Sequence, residues 1–335
     1  MTKQEVHGTM KRVAKREGKY NIVIEEAPKP DPEPGEVLIK ARKSLISRGS
    51  ELGSRYTVEH AVPPEKMGYS LAGKIDVLGA EVEHFTVGVA VVALAPHAQY
   101  VLVGARPQGL EEQVRIASMV AGMSFEAATL YPLTAGAVAW VKVEDIQPDA
   151  VVVVMGQGLV GSLVMQVAKS ETRGFVVAVD ATAMRCELAA KLGADVVVNA
   201  AEEDPVGAVK RITAGRGAEV VVYAVGGPAG PKAFEQGMSM LAPGGTFHHI
   251  GLNEKQTLPL TSAMIQRKKI VGGYFRQVVG ARESCRAMAL LASGTIQTDL
   301  MITHRFPYLE AAEAFDLLQN RMEDTLGVIL DFEAE

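Results

Sequence analysis

One segment, between residues 151 and 180, constrains the fold more than any other part of this chain. It reads as a buried strand, a glycine turn, a helix and a second strand, with Val151–Met155 first and Phe175–Val179 last. Gly156, Gly158 and Gly161 match the pattern G-x-G-x-x-G. Such glycines permit a tight turn, close approach of a pyrophosphate and close packing of helix on strand. The segment therefore predicts a βαβ unit that holds a dinucleotide at a helix N-terminus.

Asp180 ends the second strand of this unit, about 20 residues beyond the glycines, which is the spacing of a ribose-binding acid. A carboxylate there can accept hydrogen bonds from the ribose hydroxyls, and it repels a 2′-phosphate. We therefore predict binding of NAD rather than NADP. The alternative, a tight βα turn without a ligand, is disfavoured because strand, turn, helix and acid occur in register.

The composition is that of a globular chain with room for two domains: 335 residues, of which 48% are apolar and 22% charged. A formal net charge of -5 gives no sign of a nucleic-acid partner. No apolar run approaches the roughly 20 residues that span a bilayer, and the first residues lack the apolar core of a signal peptide. Cys186 and Cys285 form no CxxC pair, which excludes a disulfide framework and a four-cysteine zinc loop. We expect a cytoplasmic protein without a membrane partner.

The chain changes character near residue 145. Before this point short strands alternate with polar turns, and the predicted strands are Asn21–Glu26, Glu36–Ser44, Leu71–Leu78, Val89–Leu94 and Gln99–Val103. A helical stretch is predicted from about Leu110, and Ser124 with an early glutamate predicts a helix start.

Beyond residue 150, strands and helices alternate, which predicts a parallel sheet covered on both faces in a doubly wound domain. After the first two strands, the predicted elements are the strands Val196–Val198, Val220–Tyr223 and Thr246–Ile250 and the helices Met184–Leu192, Pro205–Thr213 and Pro231–Leu241. Pro243–Gly245 is predicted to be a turn that precedes the last of these strands. The remaining segment predicts helices at Ala281–Ala292 and Tyr308–Gln319 and a strand at Gly327–Asp331.

Four further motifs carry a resemblance to a known family: Pro34–Lys40, Gly68–Gly79, Ala189–Asp195 and Leu241–Gly251. Together with the glycine turn, they are similar to the medium-chain dehydrogenases/reductases over nearly the whole chain. The resemblance implies an α/β fold, a doubly wound Rossmann domain plus a chaperonin-10 (GroES)-like β-rich domain. It implies that residues 1–145 and 281–335 form the GroES-like substrate and catalytic domain and residues 146–280 the Rossmann NAD-binding domain. The active site is expected in the cleft between the two.

The resemblance also implies which residues meet the cofactor. Arg48 stands at a position that often contacts the pyrophosphate, although Gly49 adds one residue to its loop. The candidate cofactor-binding residues are Arg48, Thr134, Gly156, Gly158, Leu159, Val160, Gly161, Asp180, Arg185, Val225 and Gly251.

The chain departs from the zinc-dependent members of that family at every catalytic ligand position. Ser47 stands in place of the first cysteine, Tyr69 and Ser70 replace the usual histidine and glutamate, and Tyr131 stands near the third ligand. Serine and tyrosine are poor zinc ligands beside thiolate, imidazole and carboxylate. We therefore predict a protein without zinc.

Without a metal, another group must hold the substrate oxygen and move its proton. The candidates are the hydroxyls of Tyr69, Tyr131, Ser47 and Ser50, since a phenol can do both if its pKa is lowered or its proton is relayed. The alternative is that the two tyrosines only fill the volume of the lost ligands.

Other polar residues are interpreted more simply. His97 is interpreted as a loop histidine rather than a catalytic base, and Glu51 and Glu59 as solvated loop carboxylates. His248 and His249 adjoin on a strand, so alternation directs them to opposite faces and one could face the cofactor.

Three functions stay open. The first is a zinc-independent, NAD-dependent oxidoreductase that interconverts a secondary alcohol and a ketone through a Tyr/Ser proton relay. In support of this function, the run Ser47–Glu51 of this chain is similar to the corresponding run of bacteriochlorophyllide hydroxyethyl dehydrogenases and related sugar or polyol enzymes. The second is an enoyl or quinone reductase, which needs no metal but commonly uses NADPH, a cofactor that Asp180 opposes. The third is a non-catalytic NAD-binding protein that kept the fold and lost the chemistry.

The family resemblance also implies a homodimer or homotetramer, paired through an edge strand near Ile270–Phe275. The substrate is a small molecule, and the loops Gly53–Met67 and Tyr274–Gly280 are expected to line its pocket. Their side chains suggest a ligand with apolar and polar parts: Tyr56, Tyr274, Phe275 and Arg276.

Overall fold

The computed structural model describes residues 8–105, 114–227, 229–252, 257–272 and 279–334. The strands within these residues are β1 (Thr9–Lys15), β2 (Ile22–Pro28), β3 (Glu36–Ile46), β4 (Leu71–Leu78), β5 (Ala90–Ala93), β6 (Tyr100–Gly104), β7 (Ile116–Ser118), β8 (Val152–Met155), β9 (Val176–Asp180), β10 (Val196–Asn199), β11 (Ala218–Tyr223), β12 (Leu241–His249), β13 (Lys269–Gly272), β14 (Ile302–Pro307) and β15 (Gly327–Asp331).

The α-helices of the same residues are α1 (Phe125–Thr129), α2 (Tyr131–Glu144), α3 (Leu159–Glu171), α4 (Ala183–Lys191), α5 (Pro205–Ile212), α6 (Gly230–Met240), α7 (Ser262–Ile265), α8 (Ala281–Ala292) and α9 (Ala311–Asn320). A π-helix covers Arg48–Tyr56, and short 3-10 turns cover Pro64–Lys66, Asp299–Met301 and Tyr308–Glu310. No helix in the described part of the chain is both long and apolar enough to cross a membrane.

The chain divides into two compact units. The first contains the described residues up to Ala135, those from 279 to Gly294 and those from Met301 onward. The second contains the described residues from Gly136 to Gly272, together with Thr295–Leu300. The division falls inside α2, whereas the change in sequence character placed it near residue 145.

The first unit is built on a mainly antiparallel sheet in the order β14-β15-β3-β4-β5-β7, with β6 also paired to β3. Only the β14–β15 pair is parallel among the pairs described in this sheet. β1 and β2 form a separate antiparallel pair. Val37 and Ile39 of β3 pack with Leu71 and Ile75 of β4 in a fully buried cluster, as expected for alternate residues on one sheet face.

The second unit is a parallel sheet in the order β10-β9-β8-β11-β12-β13. Its central strands are β-branched runs without exposed positions, including Val153, Val177 and Val221, as expected for strands covered on both faces. Numbered from β8, the order is 3-2-1-4-5-6, that of a doubly wound dinucleotide-binding sheet. The predicted fold class is thus confirmed.

Most predicted elements agree with the structure to within one or two residues, but four local features differ. Ile116–Ser118 is strand β7 rather than part of a helix, and the predicted helix start at Leu110 lies outside the described residues. Pro243–Gly245 lies within β12, where the register against β11 shifts, so it is an irregularity of a strand rather than a separate turn. β1 and β14 were not predicted at all.

Candidate functional site

The glycine turn of the second unit lies between β8 and α3. Gly156 has a φ of +86°, and a Cβ on it would lie 2.9 Å from the carbonyl oxygen of Ala224. This left-handed conformation favours glycine. A Cβ on Gly161 would overlap the carbonyl oxygen of Gly156, so helix and turn approach as closely as their backbones allow. Both positions therefore require glycine for the fold itself.

Gly158 differs from the other two, because a Cβ placed on it would meet no atom within 4 Å. It is the N-cap of α3 and supplies no side-chain cap to the first amides of the helix. Leu159 and Val160 form the first turn, the former buried and the latter half-buried. An uncapped helix N-terminus with an open approach suits an anionic group, so these residues fit the pyrophosphate of a dinucleotide.

Asp180 lies at the carboxyl end of β9 with 9% of its surface exposed. Its Oδ2 accepts the amide of Gln157 at 2.6 Å and its Oδ1 accepts the amide of Thr182 at 2.8 Å. Arg185 lies 3.9 Å from Oδ2. Since a carboxylate has about four acceptor positions, two remain for ribose hydroxyls. Asp180 therefore also ties the glycine turn to β9, a role that the sequence did not suggest.

The carboxyl ends of β8, β11 and β12 meet at the same edge of the sheet. The amide of Ala224 donates to the carbonyl of Met155 at 2.9 Å, and the amide of Gly251 donates to the carbonyl of Tyr223 at 2.9 Å. A Cβ on Gly251 would overlap the carbonyl oxygen of Val225. The strand order reverses between β8 and β11, and such a switch point is where open α/β sheets bind ligands. The second unit thus brings together Gly156–Gly161, Asp180, Arg185, Val225 and Gly251.

In the first unit, Ser47 precedes the π-helix Arg48–Tyr56. The amide of Thr57 donates to the carbonyl of Leu52 at 3.2 Å, a bond to the fifth preceding residue instead of the fourth. A π turn holds one residue more than an α turn. The extra residue, Gly49, lies exposed within this helix. Ser47 is buried, while Arg48 and Ser50 are half-buried.

Tyr69 stands between two anchored residues. Gly68, on one side, has a φ of +105°. Ser70, on the other, donates its hydroxyl to the carbonyl oxygen of Thr129 and accepts the amide of Leu45 at its own carbonyl, at 3.0 Å. The Tyr69 side chain is half-buried. The backbone on both sides therefore fixes the position from which the phenol extends.

Tyr131 begins α2 and has only 3% of its surface exposed. Burial raises the pKa of its hydroxyl above the usual value of 10, and the neighbouring Ser284 hydroxyl partly opposes the rise. Thr134, one turn later, has no exposed surface and donates its hydroxyl to the carbonyl of Leu130 at 2.9 Å. Its hydroxyl proton is therefore held within its own helix.

A buried hydrogen-bonded chain of three side chains lies beside Ser47. Nδ1 of His97 lies 2.8 Å from the hydroxyl of Ser44, and Nε2 lies 2.8 Å from Oε1 of Glu51. None of the three residues has exposed surface. The interpretation of Glu51 as a solvated loop carboxylate is therefore wrong, because it lies inside the first unit. His97 does lie in a loop, the one before β6, but its ring is buried and hydrogen-bonded at both nitrogens.

Tyr56 does not line a pocket as predicted. It is 2% exposed and packs against Tyr20 and Phe315, with ring centroids 5.1 and 5.5 Å away. The other three residues expected to line the substrate pocket, Tyr274, Phe275 and Arg276, lie outside the described residues.

The second unit has its own buried histidine pair. Nδ1 of His248 lies 2.8 Å from Oε1 of Glu144, and neither side chain is exposed. Burial raises the pKa of Glu144, and the hydrogen bond from His248 opposes this rise. His249 is half-buried and packs its ring against Tyr223 at 5.1 Å. Burial lowers the pKa of His249, a backbone hydrogen bond partly opposes this, and neighbouring His248 lowers it further, so the neutral ring is favoured.

Comparison with known proteins gives matches along the chain. The sequence model of the family described as zinc-binding dehydrogenase matches residues 160–293. An L-threonine 3-dehydrogenase of Pyrococcus abyssi is 30% identical over 342 residues, which cover 92% of this chain and 95% of that protein. The chain belongs to the medium-chain dehydrogenase/reductase family. A sorbitol dehydrogenase of Bacillus subtilis is 28% identical over 341 residues, 92% of this chain and 94% of that protein.

The fold of this medium-chain dehydrogenase/reductase also agrees with a solved structure. Alcohol dehydrogenase TADH from Thermus sp. ATN1 superposes with a TM-score of 0.81 at 23% sequence identity. The match covers 96% of this chain and 99% of the other. At this identity the likeness shows the fold alone.

The positions at which zinc-dependent members of the family hold their metal offer only hydroxyl oxygens here. They are Ser47, Tyr69, Ser70 and Tyr131, and the hydroxyl of Ser70 already binds a backbone carbonyl. Within the described residues, no three His, Cys, Asp or Glu side chains are grouped so as to hold a metal ion. This donor set does not fit a zinc ion, which prefers thiolate, imidazole and carboxylate.

Sequence reasoning missed the buried chain of Ser44, His97 and Glu51. The three residues come from β3, from the loop before β6 and from the π-helix, and no local spacing connects them. A signal was present at Gly68, where a Cβ would lie 2.8 Å from the His97 amide and 2.9 Å from its ring. The glycine at position 68 can be interpreted only once His97 is known to lie beside it.

Proposed function

We propose that this protein is a zinc-independent, NAD-dependent oxidoreductase that interconverts a secondary alcohol and a ketone. The observation that carries the proposal is the set of hydroxyl side chains, Ser47, Tyr69 and Tyr131, at the family's metal-ligand positions. A hydroxyl can hold the substrate oxygen by a hydrogen bond and can take or give its proton, which are the two tasks of the missing metal.

The second unit supplies the cofactor site of this proposal. Gly158 and the uncapped start of α3 suit the pyrophosphate, and Asp180 keeps acceptor positions for the ribose. A bound NAD supplies the acceptor for the hydride that leaves the alcohol carbon. Arg48 and Thr134 of the first unit remain candidate contacts to the same cofactor.

The substrate class is a secondary alcohol within a small polar molecule. The related proteins are named for sorbitol and L-threonine, both of which carry a secondary hydroxyl. Relatives at 28% and 30% identity share the reaction type more readily than the substrate. We therefore propose polyols and hydroxy amino acids as the first compounds to test.

Tyr69 is the preferred group for receiving the alcohol proton. Burial raises the pKa of Tyr131, which makes its phenolate harder to form, so this phenol is better suited to donate a hydrogen bond than to remove a proton. Tyr69 is half-buried, and as it takes the alcohol proton its own phenol proton can pass through the hydroxyl of Ser47 or Ser50 to water.

The buried phenol of Tyr131 also allows a second candidate, an enoyl or quinone reductase. There a protonated phenol donates to the oxygen of a conjugated carbonyl while hydride adds to carbon, and no metal is needed. Against this candidate stands Asp180, since its carboxylate opposes the 2′-phosphate of NADPH.

The experiment that tests the proposal is an absorbance assay at 340 nm in excess EDTA. The protein with NAD receives polyols, sugars and hydroxy acids, and the protein with NADH receives enones and quinones. NADH formation from an alcohol is the expected result, with metal analysis finding no stoichiometric zinc. NADH consumption by enones alone would favour the reductase, and NAD binding without turnover would favour a non-catalytic protein.

Tyr69→Phe then tests the hydroxyl relay, assayed with whichever alcohol the protein oxidises. Removing a general acid/base hydroxyl lowers kcat by about 100-fold or more. Tyr131→Phe is the matched control, because it removes the other phenol of the set. A loss of only two- to threefold for Tyr69→Phe would assign Tyr69 to packing.

A further inference from the structure

Glu51 is a carboxylate with no exposed surface, and each of its oxygens is bound. Oε1 lies 2.8 Å from Nε2 of His97 and 3.9 Å from a guanidinium nitrogen of Arg55. Oε2 accepts the amide of Ser47 at 2.7 Å. Burying a carboxylate is costly unless hydrogen bonds satisfy it, so the surrounding structure must hold these partners in place.

His97 extends this contact to a second segment. Its amide donates to the carbonyl of Met67 at 2.7 Å, and its ring occupies the space beside the α-carbon of Gly68. A Cβ on Gly68 would lie 2.8 to 2.9 Å from the His97 backbone and ring. The ring also hydrogen-bonds Ser44 of β3. His97 is thereby in contact with β3, the π-helix and the segment that leads to Tyr69.

The buried chain therefore joins the two segments that carry Ser47 and Tyr69. Glu51, at one end of the chain, accepts the amide of Ser47, immediately before Arg48, and His97, its middle member, lies against Gly68, immediately before Tyr69. In zinc-dependent relatives these segments each carry a metal ligand. Within the described residues no donor set fits a metal, and the hydrogen-bonded chain joins the two segments in addition to the backbone bond from Leu45 to Ser70.

A hydrolytic Ser–His–Glu triad has the same residue types but is a poor explanation. Ser44 lies within β3, paired on both sides to Leu71 of β4 and Leu330 of β15, and has no exposed surface. A nucleophile must reach a substrate carbonyl, and a serine buried in a sheet does not. The three side chains therefore have a structural connection to the site rather than a nucleophilic one.

We propose that Glu51 and His97 are positioning residues for the hydroxyl relay. They hold the Ser47 turn and the Gly68–Ser70 segment in a fixed relation. This inference rests on the proposed function only where it assigns chemistry to Ser47 and Tyr69. The positioning itself follows from the contacts of Glu51.

Three variants of Glu51 separate geometry from charge. Glu51→Gln keeps the length of the side chain, so its carbonyl can accept the Ser47 amide while its NH2 donates to His97. Glu51→Asp keeps the charge but is one methylene shorter and cannot reach both partners. Glu51→Ala removes both contacts. We expect kcat within about threefold of wild type for Gln and about 100-fold lower for Ala, since small displacements of reacting groups cost that much.

Glu144→Ala is the matched control, because Glu144 is an equally buried partner of a histidine in the other unit. Glu144→Ala also removes a buried carboxylate that is bonded to a histidine, but Glu144 contacts neither the Ser47 segment nor the Tyr69 segment. We expect its kcat to stay near that of wild type well below its melting temperature. Glu51→Ala should lose kcat under the same conditions, while KM for NAD changes little.

Hydrogen exchange followed by mass spectrometry gives a readout that does not depend on turnover. Glu51→Ala should speed exchange in peptides covering residues 47–52 and 67–70 together, and Glu144→Ala in neither. If these peptides respond but the wild-type protein oxidises no alcohol, positioning is supported and the proposed function fails. If the enzyme is active and Glu51→Ala changes neither kcat nor exchange, positioning is overturned.

If Glu51→Ala does not fold, two other variants still test the proposal. The comparison of Gln with Asp then decides the question, because both keep polar groups in the buried site. Higher kcat for Glu51→Gln supports positioning by length and hydrogen bonding. Higher kcat for Glu51→Asp overturns it, since the charge rather than the contact would then matter.

Discussion

At the scale of a single residue, Asp180 bears on two properties, the shape of the glycine turn and the proposed preference for NAD. Its carboxylate accepts amides from the glycine turn and from the start of α4. In the proposed cofactor site, its charge would repel a 2′-phosphate of NADP. The shape of the turn depends on this side chain, and we propose that the choice of cofactor depends on it as well. Neither the spacing nor the residue type alone revealed the first of these roles.

Replacing Asp180 by asparagine should affect both the anchoring of the glycine turn and the cofactor preference. The amide NH2 cannot accept a backbone N–H, so one anchor of the turn is lost, and a neutral side chain no longer repels the 2′-phosphate. We expect about a tenfold loss of NAD affinity, roughly 1.4 kcal/mol, and a rise in the NADP-to-NAD affinity ratio, measured by calorimetry.

Asp195→Asn is the control for that change. Asp195 also accepts a backbone amide, that of Val176 at 2.8 Å, but at the amino end of β9. The Asp195→Asn variant should keep the wild-type affinities for NAD and NADP. An unaltered cofactor preference in Asp180→Asn would remove the basis for assigning NAD.

Tyr56 gives a prediction about pH. Burial raises its pKa to about 12, with the charge of Asp316 and the neighbouring Tyr20 adding to the rise. The folded state therefore holds this proton more tightly than the unfolded state, whose tyrosine titrates near 10. The stabilisation is complete below pH 10 and is lost as pH rises toward 12.

Urea unfolding of wild type and Tyr56→Phe at pH 9 and pH 11 measures this difference. Because phenylalanine does not titrate, wild type should lose stability relative to the variant by on the order of 1 kcal/mol between these pH values. A constant difference would mean that the hydroxyl of Tyr56 reaches water.

At the scale of elements, the βαβ unit around the glycine turn contains two glycines with opposite requirements. A Cβ at Gly161 overlaps the carbonyl of Gly156, whereas a Cβ at Gly158 meets only open space. Sequence reasoning assigned each glycine a task from the pattern. The structure shows that packing requires glycine at 161 and not at 158, and we propose that Gly158 leaves room for a ligand.

Gly158→Ala and Gly161→Ala form a matched pair that tests this separation. Gly158→Ala should melt within about 2 °C of wild type and bind NAD at least tenfold more weakly, since its methyl group occupies the approach to the helix N-terminus. Gly161→Ala should lose 2 kcal/mol or more of unfolding free energy, on the order expected for a steric overlap in a packed core. Thermal melts and NAD titrations measure both; equal stability of the two variants would contradict the assignment.

Local patterns predicted elements well because each pattern has a local cause. Ser124 is the N-cap of α1 and accepts the amide of Ala127, as its spacing to the next glutamate suggested. β4 and α8 begin and end at the predicted residues. β1 and β14 were missed because both alternate poorly: β1 contains Lys11, Arg12 and Lys15, and β14 contains His304 and Arg305.

At the scale of the whole molecule, the exposed edge of the parallel sheet suggests association with a second copy. β13 is the last strand in the order, and Ile270 at its centre is 42% exposed. Ile265 and Leu260, which precede it, are 40% and 54% exposed. An exposed edge strand with apolar neighbours is a ready template for pairing.

We expect a homodimer or homotetramer by light scattering coupled to size exclusion. Ile270→Lys should shift the protein toward the monomer, because a charge on an edge strand blocks strand pairing. Val87→Lys, at an apolar residue of the first unit that is 62% exposed, is the control and should leave the mass unchanged. A monomeric wild type would refute the association.

The sequence by itself determined the doubly wound second unit, its glycine turn and the acid at the end of β9. These features depend on residues close together in the chain, whose conformations follow from glycine freedom, β-branched strands and helix capping. The poor fit to zinc was also visible, because ligand chemistry depends on residue type. Only the tertiary structure decided that Glu51 and His97 are buried together and that Tyr56 is a core residue. Those outcomes depend on which distant segments pack against each other, and a buried carboxylate becomes stable only when such packing supplies its partners.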